Sequence, residues 1–477
     1  MIGIFITVAF IISGLLFLNR NIVVNYALLA LYGVVLLGFS FFEYTHLNIS
    51  ELVFFKPDSL GILLLIALCI VAIPVIIHGS RYIEKHNVDE TPKSRGVFFG
   101  AMVALISACC VIYLSRHIAV TWIFIEITTL SASALIYHHR NLRALEGVWK
   151  YVFICAISIT FVYIGILFLS LSLKDAGTDD MSFDSLYANA AKLNPFWLKL
   201  SFLFIFTGLT AKLGLVPMYT AGIDAKDKAP APAGALLSSV LMNLGFVGIF
   251  RFYIVVANTP LHHWANLVIT IAAFLSVFVA TVYMIKVKNI KRMFAYSGIE
   301  HMGLVMLGVA AGGVGYYAAI LHIILHAFVK STMFFQFTQL YRVFQNKSIY
   351  HVGNYFKYNT AGAMVLLLGF FSVTAMPPSG MFVSEFLIFR SLFESHQIIL
   401  LIVVLILLTM IIWAFGKNIL KIIFIPPVGF DDSNVPKISP WESFPQFFLL
   451  ALAAYLGLNP PAELVALIKE SVMLLPK

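Results

Sequence analysis

Fourteen predominantly apolar runs, parted by short breaks rich in charge, proline or glycine, leave this chain few folds to adopt. They lie near residues 2–18, 22–42, 59–79, 97–115, 117–137, 149–173, 198–223, 229–257, 264–285, 291–312, 315–341, 361–389, 397–424 and 441–458. A helix crossing the hydrocarbon core of a bilayer needs about 20 such residues, whereas barrel strands would read as short alternating segments. Of the 477 residues 61% are hydrophobic and only 11% charged, a balance foreign to soluble globular proteins. The expected fold class is an all-α polytopic membrane protein of about 14 transmembrane helices. The first run has no basic leader and no small-residue cleavage site, and another run follows at once, so it reads as a retained helix.

Lysine and arginine placement gives an orientation, because cytoplasmic loops hold the excess. Loops after odd-numbered runs carry 20 of the 31 basic residues, Lys226 and Lys228 among them; even-numbered loops and the tail carry 9. Both termini are therefore expected on the non-cytoplasmic side of a cell's inner (cytoplasmic) membrane. Lys212 and Lys330 fall inside runs. The net charge of +9 is spread over the inside loops and needs no nucleic-acid partner. Cys69, Cys109, Cys110 and Cys155 lack metal-site spacing and read as buried thiols. There is no P-loop, dinucleotide fingerprint, C-x-x-C or haem-attachment motif, so no cofactor is expected on this chain.

The chain reads as a single membrane domain, 1–477. Within it, 1–95 holds the first three helices, 96–257 and 258–424 two sets of five, and 425–477 the last helix with a short amphipathic tail. The connectors near 174–197 and 425–440 are acidic and rich in turn formers, and read as solvated. The seventh run carries Gly214 and Pro217 in its interior, and the twelfth carries MPPSG at 376–380. Unwound backbone at membrane depth survives only where protein or water lines it. Gly/Pro breaks at corresponding places in two halves point to inverted repeats. Runs four to eight and nine to thirteen would be those halves, with broken helices seven and twelve.

A charge at the bilayer centre costs roughly 2.5–3.5 kcal/mol even on insertion scales, so each buried ionisable residue requires a reason. Glu126 lies well inside the fifth run; a proton-relay carboxylate and a protonated group bonded to Thr129 are the two readings. Lys212, in LTAKLGLVPM, is too far from both interfaces to snorkel easily. A buried Glu and Lys of this kind would form a coupled switch. In LHIILHAFVKSTMFF, His322, His326 and Lys330 stand at i, i+4 and i+8 and share one helix face, a plausible proton wire. His322 and His326 could also ligate zinc, but no third ligand is evident, and no metal site is expected. Glu385 follows the MPP break five residues before Arg390. Glu300 divides between relay and structural roles, while Asp224 and Arg251 suit pairing near helix ends. No catalytic residue in the enzymatic sense is expected.

The segments IEITTLSASALI, AKLGLVPMYTAGIDAKDKAPAPAGALLSSVLMN, NIKRMFAYSGIEHMGLV, LHIILHAFVKSTMFF and MPPSGMFVSEF, in that order, resemble the proton-conducting antiporter-like membrane subunits. That family is shared by complex I, Mrp-type cation/proton antiporters and membrane-bound nickel–iron hydrogenases, and the detail is closest to the hydrogenase-4 component F branch. The resemblance is strong over roughly 95–390. It implies that Glu126 and Lys212 are the pumping pair, that His322, His326 and Lys330 form the central axis, and that Glu385 exchanges protons with the far side. Many relatives place a Lys or His on helix eight where this chain has Asn243, and an amide cannot titrate. After the lysine, relatives usually read H-T-W-L-P-D-A-H-S-E-A-P. From the tryptophan of that pattern onward, YTAGIDAKDKAP keeps only Asp224, Ala225, Ala229 and Pro230, which implies an altered cytoplasmic mouth.

The resemblance implies a proton-translocating, antiporter-like subunit of a membrane-bound redox complex, of hydrogenase-4, formate-hydrogenlyase or complex I type. Its partners would be other membrane subunits, a peripheral redox arm and the lipid bilayer. Such a subunit belongs to an oxidoreductase but holds no redox centre, so whether the chain counts as an enzyme stays open. The alternatives are a cation/proton antiporter or inorganic-carbon-uptake subunit without redox partners, and a non-pumping membrane scaffold.

Overall fold

Lipid offers no hydrogen-bond partners, so an apolar run must satisfy its backbone internally, and a helix does so within one segment. The computed structural model describes residues 1–86, 91–427, 429–431 and 435–476. Parts of the loop after the third run and of the 425–440 connector, together with Lys477, lie outside the described residues.

Helices α1 (Ile2–Leu18), α2 (Ile22–Thr45), α3 (Ser59–His86), α4 (Pro92–Leu114), α5 (Ile118–Ile136) and α6 (Leu142–Asp175) account for the first six apolar runs. The short α7 (Phe183–Asn189) follows, then the broken pair α8 (Pro195–Leu213) and α9 (Thr220–Lys228). Next come α10 (Ala231–Ser238), α11 (Val240–Ala257), α12 (His262–Lys286), α13 (Ile290–Ala311) and α14 (Val314–Phe344). A four-residue turn, α15 (Tyr355–Tyr358), precedes the second broken pair, α16 (Thr360–Val373) and α17 (Gly380–Glu394). The chain closes with α18 (Ile398–Phe424), α19 (Phe444–Leu458) and α20 (Ala462–Ser471). Every one of the fourteen runs is helical. Among the described residues eleven helices are long and apolar enough to cross a membrane singly, and a bent pair at the C-terminal end makes a twelfth. The protein is a multi-pass, all-helical membrane protein.

Helix starts follow the sequence closely. Asn21, Thr91, Asn141, Asn194 and Asn289 each cap a helix by accepting a backbone N–H of its first turn, satisfying donors that have no intrahelical partner.

Burial sorts the helices into an inner group and an outer group. The apolar windows of α10–α11, α13 and α14 are wholly buried, whereas those of α2, α6 and α18 are one-third buried. Large apolar side chains such as Phe10, Phe41 and Ile399 face outward, as a lipid-facing surface requires. Close approach of inner helices depends on glycine. A Cβ added to Gly245 of α11 would stand 2.3 Å from the backbone nitrogen of Leu213 in α8, so the end of α8 lies directly on α11.

Two expectations need correction. The 174–197 connector carries α7, capped by Ser182, with Phe183 and Leu186 buried; the amphipathic pattern of FDSLY docks it on the body. The eighth run is also broken, at Ser239, where ψ is −91°, although no proline or glycine marks that position.

Arg251 is buried on α11, and pairs with Asp58 at 2.8 Å while donating to the carbonyls of Ile112, Tyr113 and Ser115. Structural pairing, expected from the sequence, is what the structure gives it. Arg251→Met leaves these acceptors unpaired and should destabilise the protein by about 2–4 kcal/mol, read as a lower thermal midpoint in detergent. Gly245→Val should destabilise the protein as well, by the roughly 1–3 kcal/mol of an overpacked contact, and lower the same midpoint.

Candidate functional site

The first break starts at Gly214, which closes α8 with φ +88° and bonds its N–H to the Thr210 carbonyl. A left-handed residue here costs glycine little. Two residues before it, Lys212 is buried, and its ammonium donates to Thr129 Oγ1 at 2.8 Å and Tyr151 Oη at 3.1 Å. Its nitrogen also stands 5.2 Å from the centre of the Tyr151 ring. Glu126 lies one turn before Thr129 on α5 and is half-buried, with Oε2 lacking a hydrogen-bond partner. Among the described residues no ion pair joins Glu126 to Lys212. The structure thus brings the lysine to a threonine and a tyrosine, with the carboxylate nearby and unpaired.

Beyond the break, α9 turns Ala221, Ile223, Ala225 and Lys226 inward. Lys226, counted with the loops in the sequence, is buried, and its nitrogen meets Met242 Sδ at 3.1 Å. The short helix gives a residue two places on the opposite side, since successive residues turn ~100°: Lys228 reaches Asp227 at 3.1 Å near the rim. Asp224 pairs with Arg292 and, at 3.6 Å, with Lys150, the structural pairing its position near a helix end suggested. Asp227 is buried and takes bonds from Asn289 at 2.9 Å and Lys347 at 3.1 Å. A cavity of about 380 Å³ opens beside it, lined by Arg143, Lys228, Lys291 and Lys347 among others. A second cavity, of about 10 Å³, touches both Lys212 and Lys226. Asn243 on α11 is fully buried, with neither amide atom hydrogen-bonded.

The second cluster lies where α13, α14 and α17 meet. Lys330 donates to Ser297 Oγ at 2.5 Å and to the Phe294 carbonyl at 3.3 Å. His326 is fully buried with both ring nitrogens unpartnered, and its ring centre is 5.2 Å from that of His301. His301 in turn places Nδ1 3.2 Å from His322 Nε2 and 3.7 Å from Glu385 Oε1, and Nε2 3.6 Å from Glu300 Oε2. His322 Nδ1 meets Ser384 Oγ at 2.9 Å. The second break, between Val373 and Gly380, lets α17 start with Ser384 and Glu385 facing this group; Ser379 caps that helix.

His322, His326 and Lys330 therefore do share one buried face, but His301 of α13 lies beside both histidines, hydrogen-bonded to His322 and in ring contact with His326, and it is His301 that stands next to Glu385 and Glu300. In the sequence His301 stands only as the residue after Glu300, with no spacing to the helix-face residues His322, His326 and Lys330 to single it out. Tyr151 and Ser297 carried no signal, and Ser384 only its place before Glu385. One ligand atom each from His301, His322 and Glu385 lies within 4.8 Å of the other two. That grouping could hold a cation, and it differs from the His322–His326 pair weighed from the sequence.

Buried amines, imidazoles and carboxylates gathered inside the helix bundle define a helical membrane protein with an interior row of titratable groups. Residues 115–411 match the family described as "NADH:quinone oxidoreductase/Mrp antiporter, TM", and the chain belongs to that family. It is 28% identical to a hydrogenase-4 component F homolog of Methylacidiphilum infernorum over 85% of this chain and 86% of that protein. It is likewise 28% identical to NADH-quinone oxidoreductase subunit N of Thioalkalivibrio sulfidiphilus over 72% and 71% of the two chains. In fold it is similar to a chain of the Mrp complex from Dietzia sp., with a TM-score of 0.84 at 14% identity, covering 99% of this chain and 97% of that one. A chain of respiratory complex I from Thermus thermophilus gives a TM-score of 0.82 at 18% identity over the whole of both chains.

Replacing both acceptors of the Lys212 ammonium, by Thr129→Val with Tyr151→Phe, leaves a buried charge poorly solvated. Thermal unfolding in detergent should show a loss of about 2–4 kcal/mol for the double variant.

Proposed function

We propose that the chain is a proton-translocating, antiporter-like subunit of a membrane-bound redox complex of the hydrogenase-4 or complex I kind. The observation that carries this reading is the buried row itself: Lys330, His326, His301, His322 and Glu385 are all buried, on α14, α13 and the inward side of α17. Intramembrane ionisable residues in such a row are the usual substance of proton relays. In this reading Glu126 and Lys212 form the driven pair, Lys330, His326 and His322 the axis, and Glu385 the exchange point with the far side. Glu300 and Asp224 adjust the electrostatics at the two ends, and Asn243, an amide, carries no exchangeable charge.

The breaks after Leu213 and after Val373 fall in the fourth helix of each five-helix set, 96–257 and 258–424, which supports two inverted repeats within a 14-helix topology. The excess of basic residues after odd-numbered runs supports non-cytoplasmic termini in an inner membrane. Relatives named as hydrogenase-4 and NADH-quinone oxidoreductase subunits support membrane partners and a peripheral arm that supplies redox energy. Moving one charge against 100 mV needs ~2.3 kcal/mol. A relative pKa shift of about two units within the driven pair suffices.

Glu126→Gln, Lys212→Ala and Lys330→Ala should each reduce proton translocation in vesicles carrying the assembled complex by about a hundredfold, with assembly retained. Unchanged translocation in all three would overturn the reading. Purification from native membranes should bring down subunits bearing Fe–S clusters or nickel; their absence would refute a redox assembly.

A further inference from the structure

We propose that Lys226 is the titratable group joining Lys212 to Lys330, in the place where Asn243 supplies none. The inference rests on the proton-translocating reading above and adds a carrier to it. On one side, Lys226 and Lys212 line the same cavity of about 10 Å³, room for about one water molecule. On the other side, its nitrogen is 3.7 Å from the point where a Cβ on Gly298 would stand. Gly298 follows Ser297, the hydroxyl that holds Lys330, and having no side chain it leaves the approach open.

The surroundings of Lys226 suit a carrier rather than a fixed ion pair. It is buried, and among the described residues the one hydrogen-bond acceptor given to its ammonium is the Met242 thioether. A thioether accepts weakly, so no carboxylate pins the amine in one protonation state. The same methionine passes 3.0 Å from a Cβ position on Gly214 and 3.5 Å from that on Gly298; it lies between the break in the first half and α13. Asn243, one residue beyond Met242, has both amide atoms unpaired and cannot exchange a proton.

The transfer balances simply. The Lys212 ammonium gives a proton to one water, which passes a proton to the neutral Lys226 amine, leaving Lys212 neutral. The Lys226 ammonium then gives its proton through the Ser297 hydroxyl to a neutral Lys330, and no electrons move. A lysine can do this because four rotatable carbons carry three interchangeable donors.

The test uses the assembled complex in vesicles, with assembly followed by native electrophoresis. Lys226→Met, which keeps the bulk and removes the proton, should reduce translocation on the order of a hundredfold, as Lys212→Ala does. Lys226→His, and Asn243→His added to Lys226→Met, should each recover translocation, which a purely structural role would not predict. Full activity of Lys226→Met while Lys212→Ala and Lys330→Ala are inactive would overturn this inference and leave the parent reading standing. Activity in all three overturns the parent reading, and this inference with it. An assembled but inactive Lys226→Met that neither histidine rescues also overturns it. Should Lys226→Met fail to assemble, Lys226→His against Lys226→Gln decides: translocation in the histidine variant alone upholds the carrier, and equal translocation rejects it.

Discussion

The absence of water in the bilayer core is the constraint on which this structure depends. Backbone polar groups must pair within helices, and charged side chains must be solvated by the protein. Both demands are met by layering. Outer helices such as α2, α6 and α18 present apolar faces outward, and the inner α11, α13 and α14 hold His301, His322 and His326 together with four buried charged residues, Arg251, Lys291, Glu300 and Lys330. A lysine such as Lys330 is tolerable only because Ser297 and a backbone carbonyl stand within hydrogen-bond distance of it.

Helix breaks do the positioning. Ending α8 at Gly214 puts Lys212 in the last turn of a helix, where the carbonyl end of the dipole favours a cation, and lets α9 set off in a direction that carries Lys226 inside. Ending α16 before the Met-Pro-Pro stretch lets α17 begin with Ser384 and Glu385 against α14. The break at Ser239 lies four residues before Asn243, beside the same interior seam. Three interruptions in three helices thus surround the row of titratable groups, where unwound backbone can be lined by protein.

Much of this was legible in sequence because its signals are local. The apolar runs are long enough that lipid leaves helix as their solution, and Gly214, Pro217 and MPPSG break helices for reasons contained in those residues. The spacing of His322, His326 and Lys330 puts them on one face whatever surrounds them. The 183–189 helix was hidden because acidic and small residues around FDSLY resemble a solvated connector until something apolar lies beneath it. Lys226 was hidden for the same reason: in a run reading DAKDK, one lysine cannot be told from the next without knowing which side of α9 meets the protein.

By itself, then, the sequence determined that the chain is a polytopic helical membrane protein, where two of its helices break, and that Lys212, His322, His326 and Lys330 lie within apolar runs. These follow from hydropathy, backbone sterics and helical period, all properties of neighbouring residues. The tertiary structure alone decided who meets whom. Lys212 bonds Thr129 and Tyr151 from helices 83 and 61 residues away in sequence, His301 links His322 to Glu385, and Lys226 faces Met242. Contacts between helices depend on how glycines such as Gly245 let backbones approach and on the direction each chain takes after its break, and no local pattern encodes either.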